Sequence, residues 1–407
     1  MKKRVVFVLF IIIILAAGFW YLINNYSSIS LFQFFPKVAT SFATTTNSQV
    51  GTTSFLDNFS TKKVRILIVP GHEPDSGGTN FGKLYERDLA VTIGEDLQQI
   101  LDSDSHYQSF ITRDAQSWNP IFTDYFQNNW NQILAWEQSA KIDFLKSTST
   151  ISSLEEIHNN ADVDDAMRLY GVNKWSNENN IDLMIHIHLN NYPGASKKIA
   201  GKYSGLVMYI PSATLQNNTI SRPIAERIFN RLSLYNPISN LPVQSQGLEE
   251  DSSLIAMGAY NTSNVASMLI EYEYIYDPQI VNPQVRDIAF KDLAYQTYLG
   301  LQDYYNKNLN ITATSSYNPS VNVYVWNTPV TSVDSNPEDI YAMQTALIMD
   351  NDYPPKGKTK NACPHSGTFG TCTRLAIQAF QKKNNIVGES FFGQKTFSLL
   401  NEIYYNK

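Results

Sequence analysis

Three short, strongly apolar runs that each lead into a histidine or a carboxylate constrain this chain more than any other feature. Residues 64–69 (VRILIV) run into Pro70-Gly71-His72, residues 181–189 (IDLMIHIHL) carry His186 and His188, and residues 267–275 (SMLIEYEYI) carry Glu271 and Glu273. Short runs rich in β-branched residues and bounded by Gly, Pro or Asn read as buried strands, and residues 205–210 (GLVMYI) read as a fourth. Between the first two, residues 84–101 place Leu89, Ile93, Leu97 and Leu101 every four positions, the spacing of one helix face. Strands alternating with helical patterns from about residue 62 to 306 define an α/β architecture. Ligands bind such sheets at the carboxyl ends of the strands, where these histidines and carboxylates fall.

What flanks this region sets the compartment. Lys2, Lys3 and Arg4 precede an unbroken apolar run, residues 5–23, which at about 1.5 Å per residue matches the hydrocarbon thickness of a bilayer. The run is longer than the core of a cleaved signal peptide and lacks a closing small-x-small pair. The expectation is a membrane anchor over 1–26, with basic residues inside and the rest of the chain on the extracytoplasmic side; secretion after signal cleavage is the alternative. Residues 27–61 are a Ser/Thr/Asn-rich tether, and 307–336 a second linker of similar composition. Cys363 and Cys372, the only two cysteines, can close a small loop in an oxidising compartment, against the plainer reading of two unrelated thiols. From 337 to 407, three apolar patterns separated by Gly-containing loops make a small all-α module: Ile340/Met343/Leu347, Leu375/Ala379/Phe380 and Phe397/Leu400/Ile403. With 31 Lys+Arg against 37 Asp+Glu and no basic stripe, the chain is not expected to bind nucleic acid.

The chemistry at the strand ends is that of a hydrolytic metal site. Two imidazoles and a carboxylate leave a fourth zinc position open for water, and a further carboxylate nearby can take that water's proton. Glu86, in the first turn of the predicted helix, is the nearest downstream carboxylate able to fold back over the sheet end. Glu271 and Glu273 share a strand face by the two-residue period. Met268, Leu269 and Ile270 before them argue for a buried strand, where unpaired carboxylates are unfavourable.

The ordered set Pro70-Gly71-His72, Glu86, His188 with Asn190, and Leu269-Ile270-Glu271 resembles the zinc-dependent N-acetylmuramoyl-L-alanine amidases. Thr112-Arg113-Asp114 and Gly205-Leu206-Val207-Met208-Tyr209 support the likeness, which spans about residues 64–305. The resemblance implies a twisted, mostly parallel sheet flanked by helices, Zn²⁺ held by His72, Glu86 and His188, and Glu271 as general base and later proton donor to the leaving amine. Three positions depart from the family pattern. Val69 stands where an acidic residue is usual, Glu73-Pro74 replace Gly-Gly, and His186-Ile187-His188 replaces Ser-Ile-His. His186 is therefore a spare imidazole that can bind metal in place of His72 or steady substrate. Glu273, at a position of Gly in the family, is the competing base or a substrate contact, and Asn190 a further substrate-side candidate.

Residues 337–407 resemble a three-helix peptidoglycan-binding domain, through Gly367-Thr368-Phe369-Gly370, Ala376-Ile377-Gln378-Ala379-Phe380-Gln381, Gly393 and Leu400-Asn401. The expected protein is an anchored wall hydrolase acting on peptidoglycan. The Trp-rich stretch 115–164, read as an insertion with some helix, leaves room for an activator protein whose identity the sequence does not give. A non-catalytic wall-binding protein on a degenerate scaffold, and a zinc peptidase of the stem peptide, are the rival readings.

Overall fold

The computed structural model describes residues 63–147, 162–192, 198–308, 335–389 and 392–405, all within the unit Val50–Lys407. The expected anchor at 1–26, the tether at 27–61 and most of the 307–336 linker lie outside the described residues. Among those described, no helix is long and apolar enough to cross a membrane.

In chain order the larger, α/β region runs β1 (Val64–Pro70), β2 (Asn80–Phe81), β3 (Leu84–Tyr85), α1 (Glu86–Ser103), β4 (Tyr107–Ile111), α2 (Pro120–Ser147), α3 (Val163–Glu178), β5 (Leu183–Asn190), β6 (Val207–Pro211), α4 (Asn218–Tyr235), β7 (Leu248–Asp251), β8 (Ala266–Tyr274), α5 (Pro278–Val281) and α6 (Pro283–Asn308). The C-terminal segment adds α7 (Pro337–Met349), α8 (Thr371–Lys383) and α9 (Gln394–Tyr405). Among the described residues one six-stranded sheet has the order β4-β1-β5-β8-β6-β7. Every neighbouring pair in it is parallel except β6 with β8, so the sheet is mostly parallel as expected.

The period of two divides each central strand between two environments. Ile66 and Ile68 of β1, Ile185 and Ile187 of β5, and Met268 and Ile270 of β8 enter one core with Ile93 and Leu97 of α1, Ile224 and Ile228 of α4, and Phe290 and Leu293 of α6. Each fully buried aliphatic side chain there contributes about 1.5–3 kcal/mol. One residue out of phase, Leu67, Val69 and Met184 pack on Phe122, Phe126 and Ile133 of α2 and Tyr170 and Trp175 of α3. Further along that face, Leu269 of β8 meets Phe144 near the end of α2. The stretch expected as an insertion thus supplies α2, one of the two helices covering the second face of the sheet; residues 148–161 of it are outside the described set.

Local signals fix several boundaries. Asp162 caps α3 by accepting from the Asp165 N–H at 3.0 Å, and Asn336 caps α7 with Pro337 at the first helical position. The first helix was expected from residue 84 but begins at Glu86. Leu84 instead pairs with Phe81 in a hairpin, because Gly82 adopts a φ of 59° and turns the chain back. The second linker also begins later than its composition suggested, since α6 continues to Asn308.

The three C-terminal helices close around Ile340, Met343, Leu347, Phe380 and Leu400. Cys363 and Cys372 are disulfide-bonded, and Cys372 falls in the first turn of α8 rather than in the preceding loop. Closing so short a loop contributes about 2–3 kcal/mol in the chain-entropy treatment. Tyr341 packs with Val285 and Ala289 of α6, and its hydroxyl donates to Asp292 Oδ2 at 3.3 Å.

Candidate metal centre

The carboxyl ends of β1 and β5 and the start of α1 meet at one point. The chain leaves β1 through Gly71, whose N–H donates to Ile187 O at 2.9 Å, and turns at His72, a non-glycine residue at φ 68°. Glu86 opens α1, and His188 is two residues from the end of β5. His72, Glu86 and His188 bring one ligand atom each to within 4.8 Å of one another. His72 Nε2 lies 2.8 Å from Glu86 Oε1, and His188 Nδ1 lies 3.0 Å from the same oxygen. The two imidazoles meet edge to face, ring centres 4.9 Å apart.

Glu86 is buried and its carboxylate is oriented by backbone donors. Thr79 N–H donates to Oε2 at 2.8 Å, and Leu189 N–H to Oε1 at 3.3 Å. Burial alone would raise this carboxyl, but the charge on His72 and hydrogen bonds from both imidazoles outweigh it and hold Glu86 well below the ordinary carboxylate range. Burial lowers His188, partly offset by its bond to Glu86. The neutral imidazole it favours is the form that ligates a metal.

Close packing requires glycine beside the ligands. A Cβ on Gly71 would lie 2.3 Å from His188 Cε1, and one on Gly78, itself at φ 75°, would lie 2.9 Å from His72 Cδ2. The donor set, two imidazole nitrogens and a carboxylate oxygen converging in a pre-shaped cradle, fits Zn²⁺.

Glu271 stands directly across from His188 in the β5–β8 register, on the same face of the sheet and one strand spacing away. Its Oε2 is buried with no hydrogen-bond partner. Burial first, and the Glu86 charge second, push its carboxyl well above the usual range, which makes it a stronger base once ionised.

The remaining sequence candidates fall elsewhere. His186 is 1% exposed, pairs in register with Val69 and Leu269, and is outside the group of three; burial lowers it to about 3, so the ring is neutral. Glu273 is 1% exposed and raised well above the carboxylate range by burial and by the adjacent Asp277. Asn190 donates its amide to Gln244 Oε1 at 3.0 Å, in a buried cluster with Ser239 and Tyr274. That commitment leaves Asn190 bracing the end of β5.

Sequence reasoning missed Gln244 and the reach of Arg113. Gln244 ends a single 3₁₀ turn, Pro242–Gln244, too short to leave a periodic signal. Arg113 is 1% exposed; its Nη2 donates both to Gly71 O, next to His72, and to Arg87 O at 2.9 Å, next to Glu86. One guanidinium thereby ties together the segments bearing two of the three candidate ligands. Burial lowers it to about 10, leaving it charged at neutral pH. No local pattern marked it, because residues 112–119 (TRDAQSWN) are mostly polar and read as an ordinary surface connection.

A mostly parallel α/β sheet thus carries, at the strand ends where such sheets bind ligands, a His-Glu-His group that could hold a metal ion. The sequence profile of the N-acetylmuramoyl-L-alanine amidases matches residues 66–303, and the chain belongs to that family of cell-wall hydrolases. No curated protein matches the chain. Among solved structures, an N-acetylmuramoyl-L-alanine amidase from Clostridium difficile 630 is 17% identical, with 60% of this chain and 97% of that chain covered at a TM-score of 0.38. The CwlD amidase from Clostridioides difficile, solved in complex with the GerS lipoprotein, is 16% identical, with 60% and 100% covered at 0.39. The amidase AmiC2 of Nostoc punctiforme is 18% identical, with 59% and 96% covered at 0.36.

Proposed function

We propose that this chain is a zinc-dependent amidase that hydrolyses the bond between N-acetylmuramic acid and L-alanine in peptidoglycan, with His72, Glu86 and His188 as metal ligands and Glu271 as general base. The observation that carries the reading is the convergence of those three ligand atoms within 4.8 Å, with Glu271 across the sheet from His188. When bound, zinc would polarise the scissile carbonyl and lower the pKa of the attacking water. The ionised Glu271 carboxylate takes the proton from that water and returns it to the departing L-alanine amine, so one group serves as base and then acid. Glu271 is preferred to Glu273 because Glu273 is sealed against Asp277, whereas Glu271 is partly open to solvent.

The apolar run at residues 5–23 supports an anchored protein with its catalytic region on the extracytoplasmic side. The three-helix segment 337–407 supports a module that holds the enzyme on the wall. The altered residues Val69, Glu73 and His186 favour the second reading, a wall-binding protein without activity; the assembled ligands and base weigh against it.

Mass spectrometry of digested peptidoglycan separates the readings: intact glycan with free stem peptides for an amidase, shortened stems for a peptidase, no release for a binder. Glu271→Gln is expected to retain zinc and lose about 10²–10⁴ in kcat. Wild-type turnover in that variant would remove Glu271 from the mechanism.

A further inference from the structure

The segment following β4 holds His72 from both sides. Residues 112–119 form a tight hairpin, with Asp114 N–H donating to Ser117 O at 3.0 Å, Asn119 N–H to Thr112 O at 2.9 Å, and Arg113 bridged to Trp118. Arg113 grips the carbonyl of Gly71, the residue before His72. Trp118, from the opposite arm, donates its indole Nε1–H to Glu73 Oε2 at 2.7 Å, the side chain of the residue after His72. Arg168 of α3 adds an ion pair to the same Glu73 oxygen at 3.3 Å. Glu73 is buried, and between these two grips His72 sits at a positive φ that a non-glycine residue adopts only under constraint.

We propose that the 112–119 hairpin is a positioning device for His72, with Glu73 as its handle and Arg168 tying the handle to the helical layer on the second sheet face. The proposal rests on the metal reading of the site and goes beyond it. An indole N–H and a guanidinium both meet the Glu73 carboxylate. Partners that orient a metal ligand from outside the coordination sphere typically change metal affinity by about 10- to 100-fold.

The test measures zinc affinity of the full chain by chelator competition, together with the visible absorption of the Co²⁺-substituted protein, which reports ligand geometry. Trp118→Phe keeps an aromatic ring beside Phe126, on which Trp118 packs edge to face at 5.1 Å, and removes the N–H donor together with the five-membered part of the indole. Glu73→Ala removes the handle, and Glu73→Gln restores an acceptor. Trp118→Phe and Glu73→Ala are expected to bind zinc about tenfold more weakly with an altered Co²⁺ spectrum, and Glu73→Gln to recover most of the loss. Zinc affinities within about twofold of wild type in both weakened variants, with an unchanged Co²⁺ spectrum, would overturn the proposal. A wild-type chain that binds no zinc would instead overturn the metal reading itself, a different result in the same experiment. Melting of the metal-free forms identifies a variant that fails to fold, and the other variant then decides the outcome.

Discussion

The two faces of the central sheet are made by the same strands and do different work. On β5, Ile185 and Ile187 point into a continuous hydrocarbon core against α1, α4 and α6, while His186 and His188, one residue out of phase, point toward the side covered by α2 and α3. On β8 the same division sets Met268 and Ile270 against Leu269, Glu271 and Glu273. One face supplies mainly apolar burial, its few polar atoms, such as the Tyr272 hydroxyl 2.8 Å from Thr297 Oγ1, being hydrogen-bonded. The other carries ionisable groups whose burial is unfavourable unless each is partnered or neutralised. The strand period lets one backbone serve both, because a substitution on one face leaves side chains on the other in place.

The largest effect expected on the chemical face is at His188. His188→Ala should lose stoichiometric zinc by elemental analysis while the fold persists; full zinc occupancy in that variant would sink its role as a ligand. On the opposite face, Ile187→Ala should lower unfolding free energy by about 2–5 kcal/mol in denaturant titration, with zinc stoichiometry of the folded protein unchanged. An equal effect on both readouts would mean that the two faces are not separable.

The smallest expected effect is at Glu273, where the chemical face holds a group that no candidate role uses. Its folded pKa is raised above the ordinary 4.5 by burial and by Asp277. Below about pH 4.5 the carboxyl is protonated in folded and unfolded chains alike; above it the unfolded chain ionises while the folded one keeps its proton. Folded protein then binds more protons, so stability falls as pH rises through that window. Glu273→Gln, which does not titrate, should therefore raise the metal-free melting temperature at neutral pH, with the gain vanishing near pH 4. A gain that is the same at both pH values would show that ionisation of Glu273 is not its source.

Much of this arrangement was legible in the residues. The strands at 64–70, 183–190 and 266–274 announced themselves as apolar runs, and their ends named His72, His188 and Glu271. The three short C-terminal helices were legible as helices, but the face of the second was misread: it buries Ala376, Ile377 and Phe380, while Leu375 and Ala379 of the expected pattern are exposed. Strands β4 and β7 were not legible: YQSFI and LEED are short, polar in part, and stabilised by neighbours rather than by their own composition. The stretch 115–164 looked appended because its Trp and Asn content breaks the α/β rhythm, yet its described part forms half of the layer over the second face. The roles of Glu73, Trp118 and Arg168 were hidden because they depend on contacts 45 or more residues apart in sequence, which no local pattern encodes.

By itself, the sequence determined the α/β class, the order of the chemical residues along the chain and the strand face each would occupy, because backbone periodicity alone sets those. Which carboxylate meets which imidazole was decided only by the tertiary structure. Glu86 reaches His188 across 102 residues because a glycine turn, a buried arginine and the parallel register of β1 with β5 bring three separate chain segments to one point.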